Sequence, residues 1–265
     1  MTNEGQSRQW NNPQFLEFWK KLEPSVANLM EPLLGGLDLQ KGEKVLDVGC
    51  GGGLTTLAFA RRVVPRGTVT GFDISEPLIK LATQRGGDAG LTNATFVQGD
   101  AQVDDIPGGP FDVATSRLGV MFFADPPAAF ANIRRHLKPT GRIAFICFQA
   151  PSHNPWYPAE IIAKYAPPQP PTPYPPPSPF ALGDQSQVTQ ILREAGFASI
   201  QFTPLMRVHE APVDRQANIG SVANLQLEPD VMAKAVAEIE AHYDRYRVGN
   251  KDVHERNYWL VRARN

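Results

Sequence analysis

Residues 45–53 read VLDVGCGGG, and LTTLAFARR follows at 54–62. Three apolar positions, Val45, Leu46 and Val48, enclose one acid, Asp47, ahead of glycines at 49, 51, 52 and 53. A short apolar run that stops at glycines and restarts with helical periodicity reads as a buried parallel strand turning into a helix. Glycines at the turn let the backbone bend sharply and let a ligand come closer than side chains allow. The stretch predicts a nucleotide-type binding turn in an α/β domain.

Outward from the turn the alternation continues. Strand patterns lie at 44–48, 68–73, 95–98, 111–116 and 142–148, with helical patterns between them at 54–64, 76–85 and 127–137. Such alternation implies right-handed crossovers and a parallel sheet covered on both faces, with the ligand at the carboxyl ends of the strands. Upstream, 14–37 reads as two short helices over the binding site, with Pro24 suited to a first helical turn. Downstream the composition changes: 11 of the 25 residues from Pro155 to Pro179 are proline. That density stops a helix and favours extended geometry. The same segment carries Trp156, Tyr157, Tyr165 and Tyr174, with Phe180 just beyond, so it is expected to be an ordered lid rather than a solvated linker. A helix at 184–195 stopping at Gly196, a strand at 199–208, polar helical sequence over 213–246 and a last strand at 257–264 complete the expectation. The last two strands are suited to antiparallel pairing.

The 265 residues suffice for one α/β domain with an added cap, and 26 basic against 27 acidic residues give a net charge of −1. A balanced charge argues against nucleic acid or an anionic membrane as the main partner. Cys50 and Cys147 are too few for a disulfide framework or a four-ligand zinc site, which favours a reducing, cytoplasmic setting. MTNEGQSRQW lacks the order of a secretory signal, and no apolar run approaches the roughly 20 residues that span a bilayer.

The dinucleotide frame G-x-G-x-x-G fails at Leu54, and no Gly-Lys-Ser/Thr follows to make a P-loop. The chain shows instead Asp47-x-Gly49-x-Gly51-x-Gly53. This segment resembles motif I of the class I S-adenosylmethionine-dependent methyltransferases, in particular the small-molecule branch that includes ubiquinone and menaquinone biosynthesis enzymes. The resemblance runs from about Leu37 to Phe148. It implies S-adenosylmethionine as cofactor, with S-adenosylhomocysteine as product. It also implies a Rossmann-like, doubly wound, seven-stranded sheet, mostly parallel with an antiparallel last pair, plus the helical cap and Pro-rich lid.

By that resemblance Asp47, Gly49, Cys50 and Gly51 form the turn against the cofactor. Asp73, ending VTGFD, takes the ribose hydroxyls, and Ile74 packs on the adenine. Asp100 takes the adenine amino group with the Ala101 amide facing the ring, while Ser116 and Arg117 border the methionine moiety. Leu137–Gly141 resembles the turn into the fifth strand, with Thr140 where a glycine is usual. Each position also has a plainer reading. Asp73 ahead of Ser75-Glu76-Pro77 can cap a helix, Asp100 can be a turn residue, Arg117 can pair with a neighbouring acid, and Cys50 can be a small packing residue. The order of all of them at successive strand ends favours the cofactor.

The place after strand four reads SRLGVMFF at 116–123 and lacks the Asn/Asp-Pro-Pro-aromatic motif of nucleic-acid and amide methyltransferases. A small lipophilic or aromatic acceptor, methylated on oxygen or carbon, is therefore expected. Val120–Phe123 are equally well read as core. His153, just after strand five, is the candidate base where one is needed. No metal is expected. The chain divides into a helical cap (1–40), the cofactor core (41–150), the Pro-rich lid (151–183) and a C-terminal part of the core with a helical insertion (184–265). Partners are a small-molecule acceptor, without nucleic acid or membrane insertion, and with a homodimer left open. The alternatives are a nicotinamide-dependent reductase of related topology and a non-catalytic cofactor-binding or interaction protein.

Overall fold

The structure, a computed structural model, describes residues 3–167, 172–223, 225 and 227–265. Residues 168–171, in the expected Pro-rich lid, and 224 and 226, in the expected polar helical region, lie outside the described residues. The chain begins with α1 (Glu4–Trp10), α2 (Pro13–Leu22), a 3-10 helix at Glu23–Leu29 and α3 (Met30–Leu37). Next come β1 (Lys44–Val48), α4 (Leu54–Val63), β2 (Thr68–Asp73), α5 (Glu76–Asp88), β3 (Ala94–Gln98) and β4 (Phe111–Arg117). A 3-10 helix at Val120–Phe122, α6 (Pro126–Arg135) and β5 (Leu137–Phe148) follow, then a 3-10 helix at Pro151–His153, α7 (Ala159–Tyr165) and α8 (Gln185–Glu194). The remaining elements are β6 (Ala198–Pro212), α9 (Arg215–Ala223), α10 (Pro229–Asp244), β7 (Arg247–Val248) and β8 (Lys251–Arg264).

The chain forms two compact units. The first holds Met1–Phe148, Tyr174–Leu205 and Tyr258–Asn265, and the second holds Gln149–Pro173 and Met206–Asn257. The sheet runs β3-β2-β1-β4-β5-β8-β6. Strands β3, β2, β1, β4 and β5 are mutually parallel, and β8 lies antiparallel to β5 while also pairing with β6. The seven strands along this path, mostly parallel, match the expected sheet. In the second unit the two-residue β7 pairs with the start of β8, adding an eighth strand that has too few residues to show a period in sequence.

Burial explains the central strands. Val45, Leu46 and Val48 of β1 are 0–2% exposed, because helices cover both faces and an unbroken apolar run is then favoured. The helices start where the sequence supplies caps: the Ser75 hydroxyl accepts from Leu78 N–H, Asp125 from Ala128 N–H and Asp184 from Gln187 N–H. Gly196 ends α8 at φ +90°. In the second unit, Val222, Ala235, Ile239 and Tyr243 form a small core against Trp156, Ile161, Ile162 and Leu225.

Several boundaries differ from expectation for local reasons. The α1 helix was not expected, since Glu4–Trp10 buries no residue and shows no apolar stripe. Pro24 opens a 3-10 helix rather than an α-helix. The stretch Leu137–Gly141 lies inside β5 instead of forming a turn before it, with Leu137 opposite Phe111 and a register irregularity before Val113. The polar stretch expected as helical is two helices, α9 and α10. Strands β6 and β8 extend past their expected bounds through HEAP at 209–212 and KDVHER at 251–256, where polar residues predominate and leave no apolar alternation to read.

Candidate cofactor site

The order β3-β2-β1-β4 brings four carboxyl ends side by side. Asp47 of β1 is level with Gly71 of β2 and Thr115 of β4, and Asp73 of β2 is level with Gln98 of β3. Asp100, Asp73, the glycine turn and Ser116–Arg117 therefore share one edge of the sheet.

Backbone geometry at the turn requires glycine. Gly49, Gly51 and Gly53 adopt φ of +65°, +55° and +83°. At Gly51 the indole of Trp19, from α2, would stand 2.7 Å from an added Cβ, so both conformation and space exclude a side chain. The Gly51 N–H donates to Asp73 Oδ2 at 2.8 Å, and the Ser75 N–H donates to Asp73 Oδ1 at 2.9 Å. Asp73 thus ties the turn to the start of α5, a structural duty that adds to any ligand contact. Burial raises its pKa, against the two backbone hydrogen bonds that lower it. Each carboxylate oxygen has a second lone pair for a ligand hydroxyl.

Asp47 is 1% exposed and its Oδ2 accepts from the Thr56 hydroxyl at 2.7 Å. Its Oδ1 has no hydrogen-bond partner among the described residues. Burial lifts its pKa to about 7, outweighing the opposing pull of Thr56 and the Arg117 cation. Arg117 is pushed below its ordinary value by burial, with Asp47 and Glu23 opposing. Cys50 is buried, and burial drives its thiol well above the usual range, so it is a packing residue and not a nucleophile. The Ser116 hydroxyl accepts from Gly119 N–H at 3.1 Å and shapes the turn after β4.

Asp100 Oδ1 accepts from the Gln102 N–H at 2.9 Å and from Asn3 Nδ2 at 3.2 Å. The Ala101 carbonyl accepts from Asn132 Nδ2 at 3.0 Å, and the Ile74 carbonyl accepts from Asn11 Nδ2 at 3.3 Å. Val120, Met121 and Phe123 are 1–7% exposed and belong to the core. His153 lies in the second unit and is exposed; its ring is 3.3 Å from the Ser152 hydroxyl and its carbonyl accepts from Asn257 Nδ2 at 2.7 Å.

Sequence reasoning missed the residues that the N-terminal segment contributes. Arg85 of α5 clamps the Glu23 carboxylate with two 2.9 Å bonds and donates to the Gly52 carbonyl at 2.9 Å. Glu23 and Arg85 are 62 residues apart, so no local spacing announces them. Trp19 falls within the helical pattern at 14–37, and nothing local to it announces its place against Gly51.

Residues 39–196 match the family model described as a methyltransferase domain. The chain belongs to the methyltransferase-domain family. A nocamycin O-methyltransferase of Saccharothrix syringae is 35% identical over 128 residues, 48% of this chain and 43% of that protein. A ubiquinone/menaquinone biosynthesis C-methyltransferase of Psychromonas ingrahamii is 35% identical over 118 residues, 44% of this chain and 47% of that protein. The chain's match thus spans about half the length of these curated relatives. Among solved structures, a Haemonchus contortus phosphoethanolamine N-methyltransferase 2 in complex with S-adenosyl-L-methionine superposes with a TM-score of 0.56 at 17% identity, over 90% of this chain and 52% of that one. Membership in this family disfavours the reductase alternative. No described helix is long and apolar enough to cross a membrane.

Proposed function

We propose that the chain is an S-adenosylmethionine-dependent methyltransferase that carries a methyl group to a small lipophilic or aromatic acceptor, at oxygen or carbon. The observation that carries this reading is the contiguous edge itself. Three acids and a left-handed glycine turn stand at the ends of four adjacent parallel strands, in a methyltransferase domain.

The residues present fit the cofactor. Asp73 has acceptor capacity left for ribose hydroxyls, and Ile74, Asp100 and Ala101 serve the adenine. Asp47 Oδ1, buried without a partner among the described residues, suits an ammonium, and the half-buried Arg117 cation suits a carboxylate. The two are the two ends of an α-amino acid. Bound there, the cofactor supplies an electrophilic methyl group on a sulfonium. The chain's own part is to hold the donor rigidly, keep water out and align the acceptor, which is sufficient for an in-line displacement. A base is needed only where the acceptor is a weak hydroxyl or a carbon acid, and His153 is the candidate for it.

The relatives' printed names, one an O-methyltransferase and one a C-methyltransferase of quinone biosynthesis, support a small organic acceptor. The partner in this reading is that small molecule and not nucleic acid. The test is to incubate the chain with methyl-labelled S-adenosylmethionine and a cell extract. Label in the solvent-extractable small-molecule fraction is expected. Label confined to nucleic acid or protein, or none at all, overturns the reading.

A further inference from the structure

The side chain of Asn3, ahead of α1, is packed against Asp100. The residue is 7% exposed, and its Nδ2 donates to Asp100 Oδ1 at 3.2 Å. Its Oδ1 is buried and has no hydrogen-bond partner among the described residues. The neighbouring carboxylate fixes which way the amide faces, since turning it over would set oxygen against oxygen. A buried carbonyl oxygen left unpaired is unfavourable, so a ligand donor placed there gains more than it would in water.

The segment that carries Asn3 is fastened at its far end as well. The Ser75 hydroxyl donates to the Trp10 carbonyl at 2.7 Å, Asn11 Nδ2 to the Ile74 carbonyl at 3.3 Å, and the Glu76 N–H to Asn11 Oδ1 at 2.9 Å. Helix α1 therefore runs from the turn after β3 to the turn after β2, between the two strand ends assigned to the adenine. Its position is set by side-chain bonds at both ends, although the helix buries no residue of its own.

We propose that Asn3 completes recognition of the adenine exocyclic amino group, which gives one hydrogen to Asp100 and the other to Asn3 Oδ1. The inference rests on the cofactor reading above. An exocyclic amine has two donors and is fully paired only by two acceptors. Asp100 Oδ1 is already engaged by Asn3 and Gln102, while no described residue donates to its Oδ2. Asp100 Oδ2 and Asn3 Oδ1 are thus two acceptors linked through one hydrogen bond. A ring bearing a carbonyl at that position would place oxygen against both, so the pair selects adenine over hypoxanthine.

The test is calorimetric titration of the full chain with S-adenosylhomocysteine and with S-inosylhomocysteine, in which a carbonyl replaces the amino group. A site with two acceptors, one of them the buried Asn3 oxygen, is expected to prefer the adenosyl ligand by at least about 100-fold. Asn3→Ala is expected to weaken the adenosyl ligand about tenfold and to shrink the preference by the same factor. Asn11→Ala loosens the other end of the segment and keeps the Asn3 carbonyl, so it should weaken both ligands alike and leave the preference intact. An unchanged preference in Asn3→Ala overturns the inference, as does an equal loss of preference in Asn11→Ala. A wild-type chain that fails to bind S-adenosylhomocysteine overturns the cofactor reading beneath it.

Discussion

Buried polar side chains at the carboxyl ends of β1–β4 and buried polar side chains in the second unit are held in different ways. At the strand ends, directional hydrogen bonds fix the acids: two backbone N–H groups on Asp73, one on Asp100 and a hydroxyl on Asp47. In the second unit directional bonds, such as those from Asn154 Nδ2 to the Gln149 and Asn257 carbonyls, are joined by contacts between ring faces. His254 stacks on Trp156 at 4.9 Å, His209 sits 4.8 Å from His254, and the Arg256 guanidinium lies 4.7 Å from the Trp156 centroid. Directional bonds leave named oxygen atoms aimed for a ligand, whereas stacking spends the ring faces on one another. Burial and a shifted pKa mark both regions, so neither alone identifies a site; the geometry of the remaining acceptors does.

The largest expected effect breaks the strand-end network at its centre. Asp73→Ala removes both the proposed ribose acceptor and the anchor of the Gly51 N–H, and should weaken S-adenosylmethionine about 100-fold, from two lost charge-assisted bonds. Near-wild-type affinity by calorimetry would sink the ribose assignment. Next is the clamp beneath the turn. Glu23 is 7% exposed and Arg85 29% exposed, so Glu23→Gln leaves a half-shielded guanidinium without its partner. A loss of roughly 1–3 kcal/mol in urea unfolding is expected, discounted for the exposure of Arg85. Adding Arg85→Met should recover part of it.

Asp47 supplies a test of sign. Its pKa rises from 3.8 to about 7 on folding, so the folded chain binds the extra proton and stability falls as pH rises across that window. Asp47→Asn has no such loss. The stability difference between variant and wild type should therefore move in the variant's favour as pH rises toward 7, while S-adenosylmethionine binding weakens. A difference that stays flat with pH contradicts the burial of this carboxyl.

The smallest effect belongs to the second unit. Burial, aided by Arg256, holds His209 at about 4 and His254 at about 3, below the ordinary 6.5. The unfolded chain takes up protons that the folded one refuses, so stability is intact above about 6.5 and is lost as pH falls toward 4. Amide-exchange protection in Pro229–Asp244, measured relative to the intrinsic rate at each pH, should fall across that range before protection in β1 does. Equal loss of protection in both would remove the distinction.

The sequence was most informative where chemistry and chain order coincide. Val45–Gly53, Asp73 and Asp100 each lie at or just past the end of a strand, and glycine turns and apolar strands are local signals, so the parallel sheet and its edge could be read from residues alone. Asn3, Trp19, Glu23 and Arg85 could not. Their roles come from contacts spanning tens of residues, made by helices whose own periodicity is weak or serves another face. The dual duty of Asp73 was hidden for the same reason: a strand-end acid looks alike whether it awaits a ribose or already holds a backbone amide. The second unit was least legible, because its strands continue from β6 and β8 through mostly polar residues that carry no apolar alternation, and its helices are polar.

The most direct test of the central claim is a titration of the full chain with S-adenosylhomocysteine and, separately, with reduced nicotinamide adenine dinucleotide. Saturable binding of S-adenosylhomocysteine, undisturbed by the dinucleotide, is the predicted result. Binding of the dinucleotide that S-adenosylhomocysteine does not displace would contradict the account of the β1–β4 edge.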